Sequence, residues 1–154
     1  MTGVQTCALP ISGGAGAVRA ARRALEKAGR RGSEIDYVNA HATSTPEGDK
    51  AELDAIRTVL TEAADADAAR TAADAAPPGA TISASKGALG HTLGAAGALG
   101  AIATICAMRD GRVHPTLNLV EPDPAVGTLD VVRGVPRPAT IATMPFAPHR
   151  YFRG

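Results

Sequence analysis

The stretch VNAHATSTPEGD, residues 38–49, and the stretch SKGALGHTLGAAGA, residues 85–98, decide the fold of this 154-residue chain. Each places one histidine, His41 or His91, in a turn rich in glycine or threonine, where a carbonyl oxygen can be held and polarised. Just before the first histidine, Ile35–Asn39 is a short apolar run that ends in a polar residue. Such a run suits a buried strand whose carboxyl end delivers the next loop to a site.

Helices and strands alternate along the chain, which predicts an α/β fold. The predicted elements are helices over about 18–28, 46–60 and 91–109 and strands over 35–39, 80–84 and 129–132. Gly29 or Gly32 ends the first helix, and Thr45 followed by Pro46 begins the second as N-cap and first-turn residue. Glycines cost about 1 kcal/mol each in a helix interior, so those of the third predict close backbone approach and a buried helix.

Both histidine stretches resemble, almost residue for residue, the two histidine motifs of the β-ketoacyl-[acyl-carrier-protein] synthases, the condensing enzymes of fatty acid synthesis. The resemblance covers about residues 12–139. It implies a thiolase-like fold with α-β-α-β-α layers, of which this chain supplies the second, C-terminal half with a mixed sheet and a buried glycine-rich helix. The family's nucleophilic cysteine lies upstream of the region matched here.

The resemblance implies a role for five residues. His41 and His91 donate hydrogen bonds to the oxygen of an enolate, and Lys86 supports the histidines electrostatically. Thr43 and Thr45 hydrogen-bond the phosphopantetheine arm that carries the substrate. Without the motifs, either histidine is more often a structural residue than a catalytic one.

The implied reaction is the decarboxylative Claisen condensation of malonyl-acyl carrier protein with an acyl thioester. The implied partners are acyl carrier protein, malonyl and acyl thioesters, and a second copy in a homodimer. No bound cofactor and no metal are expected, and the chain alone is expected to be inactive without the nucleophile. Two alternatives stay open: part of a polyketide ketosynthase or chain-length factor, and a non-catalytic interaction domain that keeps the fold.

One departure from the family concerns the lysine. The glutamate that usually pairs with it is replaced by Gly100, so Lys86 either pairs with Asp49 or Glu47 or is less restrained. Outside the motifs, His114 and His149 are assigned to packing or solvent. Cys106 lies in an apolar helical pattern and is read as a small buried hydrophobic residue rather than as the nucleophile.

Composition excludes several classes of protein. The apolar fraction is 45% and the aromatic fraction 3%, so the core must be built from Ala, Val, Leu and Ile. A net charge of +1 gives no support for a nucleic-acid or acidic-membrane partner. No apolar run in the sequence has the length of a membrane span. Two cysteines form no disulfide framework, which favours a reducing, cytoplasmic setting.

The two ends of the sequence read differently from the middle. Residues 1–11 match the in-frame translation of a short-read sequencing adapter and are interpreted as an artefact. Residues 12–142 form the predicted synthase domain, in which the Ala/Asp-rich residues 61–79 are a surface insertion. Residues 143–154 form an aberrant tail that fits a frameshift better than the Phe-Gly-rich closing loop of the family.

Overall fold

The computed structural model describes residues 14–61 and 80–138. Short 3-10 turns at Gly32–Glu34, Leu93–Ala95 and Pro124–Val126 connect the regular elements. In chain order these elements are α1 (Ala15–Ala28), β1 (Tyr37–Asn39), α2 (Pro46–Thr61), β2 (Thr81–Ser83), α3 (Lys86–Leu89), α4 (Ala96–Asp110), β3 (Arg112–Val113), β4 (Asp130–Val131) and β5 (Arg137–Pro138). The predicted α/β fold is confirmed.

The strands form one parallel sheet and one antiparallel pair. The parallel sheet has the order β1-β2-β4, with Val38 opposite Ile82 and Ile82 opposite Val131. Strands β3 and β5 pair in antiparallel fashion, and a parallel bridge joins Thr116 to Arg133. Because three parallel strands end at the same edge of the sheet, the loops that follow β1 and β2 meet there.

The helix boundaries follow the local sequence signals. Helix α1 ends at Gly29, which adopts a left-handed conformation with φ 60°, and its N–H donates to the carbonyls of Glu26 and Leu25. Helix α2 begins at Pro46, as predicted. The third predicted helix starts later than expected, because residues 91–95 form a loop and a 3-10 turn before α4.

Helices α1 and α2 pack side by side and run in the same direction. Val18 of α1 lies against Ala55 and Val59 of α2. Gly14, just before α1, lies against the backbone of Ala51, whereas Gly32, beyond the end of α1, lies against the backbone of Val59. The start of α1 therefore lies beside the second and third turns of α2.

The core is aliphatic, as the composition predicts. Ile82 and Ala84 of the β2 region, Ala40 after β1 and Leu129 before β4 form one buried cluster, on which side chains from α2 pack. A central parallel strand with apolar residues on both faces is the expected pattern for a sheet covered by helices. This cluster holds the strand ends together beneath the two histidine loops.

Helix α4 corrects the prediction of a buried glycine-rich helix. Within the described residues its main contacts are with β1, β3 and the preceding turn, and Ala107 is its one buried residue. Ile102 and Ile105 are 56% and 53% exposed. A side chain built at Gly97 would meet no atom within 4 Å. Small residues permit close approach, but no described element lies against this face.

The same helix also corrects the expectation that no apolar run in the sequence has the length of a membrane span. Leu93–Asp110 is an 18-residue helical stretch with a mean hydropathy of 1.2, long and apolar enough to cross a membrane by length and composition alone. This apolar stretch was not recognised in the sequence because its hydropathy comes from many small residues. A core helix meets the same criterion, so this is weak evidence for a membrane span.

Several sequence predictions concern residues outside the described ranges. They are the adapter interpretation of residues 1–11, the greater part of the insertion at 61–79, the final residues of the domain and the aberrant tail at 143–154. His149 lies in that tail. Of the insertion, only Thr61 is described, as the last residue of α2.

Candidate active site

The two motif histidines lie beside each other at the carboxyl edge of the parallel sheet. The ring centroids of His41 and His91 are 5.3 Å apart, and the ring planes meet at 88°. His41 follows β1, and His91 follows the short helix α3 that begins after β2. The parallel pairing of β1 with β2 thus brings together two loops that are far apart in sequence.

Glu52 of α2 fixes the loop that carries His41. Its two carboxylate oxygens accept hydrogen bonds from the backbone N–H groups of His41, at 2.6 Å, and of Ala42, at 2.8 Å. Ala42 and Ser44 both adopt positive φ angles, 37° and 63°. Non-glycine residues rarely adopt this conformation, which persists where surrounding contacts over-determine it. The carboxylate supplies two such contacts.

The backbone also orients His91. The N–H of Leu93, which itself has a positive φ of 49°, donates to Nδ1 of His91 at 3.1 Å. A ring nitrogen that accepts a hydrogen bond carries no proton, so the neutral imidazole has its proton on Nε2. His91 therefore has an Nε2–H group available to donate to a bound acceptor.

The surroundings of His41 lower its pKa below the ordinary value of 6.5. Burial has the largest effect, followed by the positive charge of Lys86, and His91 lowers the pKa as well. Glu52 and Asp49 act in the opposite direction. At neutral pH His41 is therefore uncharged, which leaves one ring nitrogen to donate and one to accept a hydrogen bond.

Lys86 lies at the start of α3 and lines the cavities on both sides of the histidine pair. Within the described part of the chain it forms no ion pair with Asp49 or Glu47, the two predicted partners. Asp49 lines the same cavity as Lys86, and its Oδ1 is buried without a described hydrogen-bond partner. Glu47 is exposed and does not line that cavity. Of the two possibilities expected from the sequence, the structure therefore shows the second, in which Lys86 is less restrained.

Thr43 and Thr45 lie together on the wall of a cavity of about 580 Å³. Their hydroxyl oxygens are 3.3 Å apart. A side chain at Gly48 would overlap Oγ1 of Thr45, so the absence of a Cβ there makes room for the two hydroxyls. Lys86 and His91 line the same cavity, which therefore connects the threonine pair with the second histidine.

The opposite wall of this cavity comes from the segment 116–119. Oγ1 of Thr116 accepts a hydrogen bond from the backbone N–H of Ala84 at 3.1 Å, and Asn118 adopts a positive φ of 64°. No functional role was predicted for this segment from the sequence. Its polar Thr-x-Asn pattern directly after a proline was the available signal.

A second cavity, of about 480 Å³, lies on the other side of His41. Gly97, Gly100 and Ala101 of α4 supply small residues along it, and Asn39 and Lys86 supply polar ones. Oδ1 of Asn39 lies 3.7 Å from where a Cβ on Gly100 would be. Gly100 thus leaves open space where the family's glutamate would stand.

The remaining sequence assignments have mixed outcomes. His114, which was assigned to packing or solvent, is half-buried, and its ring lies within hydrogen-bonding distance of Tyr37 Oη at 3.2 Å and of Ser83 Oγ at 3.4 Å. Cys106 is a free thiol and half-buried, which corrects the prediction of a fully buried residue, because little covers this face of α4. In the described residues no group of three or more His, Cys, Asp or Glu side chains is placed to hold a metal ion.

Glu52 is the site residue that the sequence analysis missed. It stands beside Leu53, which packs against the core cluster, so it lies near the inner face of α2 rather than on the solvent face. An acidic residue next to the apolar face of an amphipathic helix was the signal that could have found it.

Comparisons with known proteins agree with this fold and site. The family described as "Beta-ketoacyl synthase, C-terminal domain" matches residues 2–120. The mitochondrial 3-oxoacyl-[acyl-carrier-protein] synthase of Arabidopsis thaliana is 49% identical over 115 residues, which are 75% of this chain and 23% of that protein. The chain thus spans about a quarter of the length of the curated relatives it matches.

Solved structures give the same assignment. A β-ketoacyl synthase from Burkholderia phymatum has a TM-score of 0.69 and 38% identity, over 87% of this chain and 29% of that one. A type II PKS acyl-carrier protein in complex with its ketosynthase bound to the hexaketide has a TM-score of 0.69 and 31% identity, over 84% and 28%. The fold is that of the thiolase-like ketosynthases. The chain belongs to the β-ketoacyl synthase family, of which it carries the C-terminal domain.

Proposed function

We propose that this chain supplies the histidine-lysine half of a site for the decarboxylative condensation of malonyl thioesters in fatty acid synthesis. The observation that carries the proposal is the contact between His41 and His91, whose ring centroids are 5.3 Å apart, with His91 lining one cavity and His41 lining the neighbouring one. Relatives named 3-oxoacyl-[acyl-carrier-protein] synthase support the substrate class. Acyl carrier protein, with its phosphopantetheine arm, is the proposed partner.

In the proposed step the bond between the carboxylate carbon and the α-carbon of malonyl thioester breaks. Carbon dioxide leaves, and the electron pair passes into an enolate whose negative charge lies on the thioester oxygen. The Nε2–H of His91 and an N–H of His41 donate to that oxygen. Each donor of this kind contributes about 10²–10³-fold in rate. Burial and, next in size, the positive charge of Lys86 lower the pKa of His41, which favours its uncharged form.

The cavity offers groups suited to the carrier arm. Thr43 and Thr45, whose hydroxyl oxygens are 3.3 Å apart, line it together with Asp49. An arm with two amide groups needs both donors and acceptors, which these residues supply. The enolate carbon then attacks an acyl thioester on a cysteine. We propose that this cysteine is not Cys106, because Cys106 lies on α4 and does not line either cavity.

The test uses malonyl-pantetheine, a thioester with no carrier protein attached. Without an acyl acceptor, the enolate takes a proton and becomes acetyl-pantetheine, which chromatography detects. Decarboxylation does not use the nucleophilic cysteine, so the expected inactivity of the chain alone concerns the condensation only. We expect the chain to release carbon dioxide and acetyl-pantetheine, and His41→Asn or His91→Asn to lower that rate by about 10²-fold. His149→Asn is the matched control.

Two outcomes would count against the proposal. Release of acetyl-pantetheine at the same rate by both histidine variants would favour the non-catalytic interaction domain. Binding of malonyl-pantetheine that is unchanged in both variants would remove the histidines from the site altogether.

A second candidate, part of a polyketide ketosynthase, rests on the similarity to the ketosynthase of the type II PKS complex. The acyl substrate separates the two candidates, because a polyketide enzyme should prefer poly-β-keto over saturated acyl thioesters in the reconstituted full-length protein.

For either pathway we propose a cytoplasmic location, to which the free thiol of Cys106 is suited.

A further inference from the structure

Arg57 of α2 lies outside the cavity of about 580 Å³ but joins two of its walls. On one side the cavity is lined by Leu53 and Ile56, which precede Arg57 in the same helix. On the other side residues 121–126, all but Pro124, continue the wall that begins at 116–119. The distance between these two walls decides how well the cavity fits a ligand.

The guanidinium of Arg57 bonds to both walls. Its Nη2 donates to the backbone carbonyl of Val126 at 2.7 Å and also to that of Ala125. Its Nη1 pairs at 3.3 Å with Asp54, three residues earlier in α2, which orients the group. Because the donor is charged, such hydrogen bonds are stronger than those between neutral groups.

Residues 121–126 are otherwise held mainly by their own turn. The N–H of Ala125 donates to Oδ1 of Asp123 at 2.7 Å, and the N–H of Val126 donates to the carbonyl of Asp123 at 2.8 Å. None of residues 121–126 is buried, although Val126 packs against the core cluster. The position of this wall relative to α2 therefore depends on Arg57 together with the packing of Val126.

The glycine that follows the turn leaves room for the guanidinium. Gly127 adopts a φ of 55°, a conformation that favours glycine. A Cβ built at Gly127 would come within 3.2 Å of Nη2 of Arg57, which is closer than ordinary contact. The absence of a side chain at Gly127 thus lets Arg57 reach both carbonyls.

We propose that Arg57 is a positioning residue, which holds residues 121–126 against α2 and so sets the fit of the cavity to its thioester substrate. This inference rests on the proposed function, because it assumes that the cavity receives the arm of a malonyl thioester. Arg57 lines neither cavity. Its loss should therefore weaken substrate binding and leave the rate of the bound substrate unchanged.

The experiment measures acetyl-pantetheine formation by the full chain over a range of malonyl-pantetheine concentrations. Arg57→Met removes the guanidinium and keeps an apolar stem, whereas Arg57→Lys keeps the positive charge. Arg133→Met is the matched control, because Nη1 of Arg133 also donates to a backbone carbonyl, that of Val120, at 3.2 Å. Val120 does not line the cavity.

We expect Arg57→Met to raise KM about three- to tenfold, which corresponds to one hydrogen bond in the cavity, with kcat unchanged. Arg57→Lys should recover part of this loss, and the control should match the unmodified chain. A lower kcat at unchanged KM would overturn the proposal, because a smaller folded fraction reduces the number of active sites and not their affinity. An unchanged KM in Arg57→Met, or an equal rise in the control, would do the same.

Hydrogen exchange of the unmodified chain gives a test that does not depend on the folding of a variant. Malonyl-pantetheine should slow the exchange of the Ala125 and Val126 amides, since a bound arm would hold this wall in place. Exchange that is the same with and without malonyl-pantetheine would overturn the proposal. If the unmodified chain forms no acetyl-pantetheine, the proposed function fails, and the positioning role with it. If the unmodified chain is active and Arg57→Met matches it, only the positioning role is lost.

Discussion

The imidazole rings of His41 and His91 meet edge to face, with centroids 5.3 Å apart and planes at 88°. Two imidazolium cations at this separation would repel each other, so the arrangement favours uncharged rings. In agreement, His91 and the nearby Lys86 both lower the pKa of His41. The lowered pKa favours the uncharged form of His41, which keeps one N–H group as a donor at neutral pH.

The first prediction concerns Lys86. Lys86→Met should raise the pKa of His41 toward 6.5, because the lysine charge is the largest cause of the lowered pKa after burial. The NMR chemical shift of the His41 ring, followed during a pH titration, measures the change. Lys50→Met is the matched control, since Lys50 lines the same cavity but is not among the charges that shift the pKa of His41. If the pKa of His41 shifts equally in the Lys86 and Lys50 variants, Lys86 acts only through the net charge of the chain and not through its position beside His41.

The second prediction concerns Glu52. Glu52→Gln removes a negative charge that raises the pKa of His41, so that pKa should fall further. An amide has a single oxygen, so one of the N–H groups of His41 and Ala42 loses its acceptor, which should lower the free energy of unfolding by about 1–3 kcal/mol. Urea denaturation and the same NMR titration measure the two effects.

Glu121→Gln is the control for Glu52→Gln, because Glu121 also lines the cavity but is exposed. It should change the free energy of unfolding by no more than about 0.5 kcal/mol. A Glu52 variant as stable as this control would show that the carboxylate does not hold the His41 loop.

The position of the site followed from the sequence because strand ends and motifs are local signals. His41 follows an apolar strand, and both histidine loops are rich in residues that favour turns, so parallel pairing of β1 with β2 was enough to bring them together. Glu52 could not be assigned in the same way. Its contact with the His41 backbone depends on how α2 rotates against the sheet, and that rotation is set by the packing of Leu53 and Ile56 on the core.

The burial of α4 was predicted wrongly for a different physical reason. Glycines at short intervals show that a helix can approach a neighbour closely, but composition does not say whether a neighbour is there. Ile102 and Ile105 remain more than half exposed, and a Cβ built at Gly97 would meet no atom within 4 Å. The sequence therefore predicted that α4 has a surface of small residues. Which elements lie beside that surface could be seen only in the structure.

The third prediction concerns Gly48, near the start of α2. An alanine in a helix normally stabilises a protein by about 0.4–1 kcal/mol relative to glycine. Here the added Cβ would overlap Oγ1 of Thr45 and displace it from Thr43. Gly48→Ala should therefore weaken binding of malonyl-pantetheine by the value of one hydrogen bond, about 0.5–1.5 kcal/mol, without unfolding the chain.

Thr45→Val provides the comparison for Gly48→Ala, since it removes the hydroxyl and keeps the shape of the side chain. Calorimetric titration with malonyl-pantetheine should give a similar loss for both variants. Unchanged affinity in both would contradict the assignment of the threonine pair to the carrier arm.

The last prediction is a pH dependence of stability that originates at His41. Its pKa in the folded chain is below the ordinary 6.5, so at pH values below about 6.5 the unfolded chain binds more protons than the folded one. Stability should therefore fall as the pH falls through this range and reach a plateau above it. The carboxyl groups of Glu34 and Asp110 also have lowered pKa values, but their ordinary values of 4.5 and 3.8 place their effect in a more acidic range. Urea denaturation between about pH 5 and 8 should thus give a shallower slope for His41→Gln than for the unmodified chain or for His149→Gln. If all three slopes coincide, His41 does not hold a lowered pKa in the folded state.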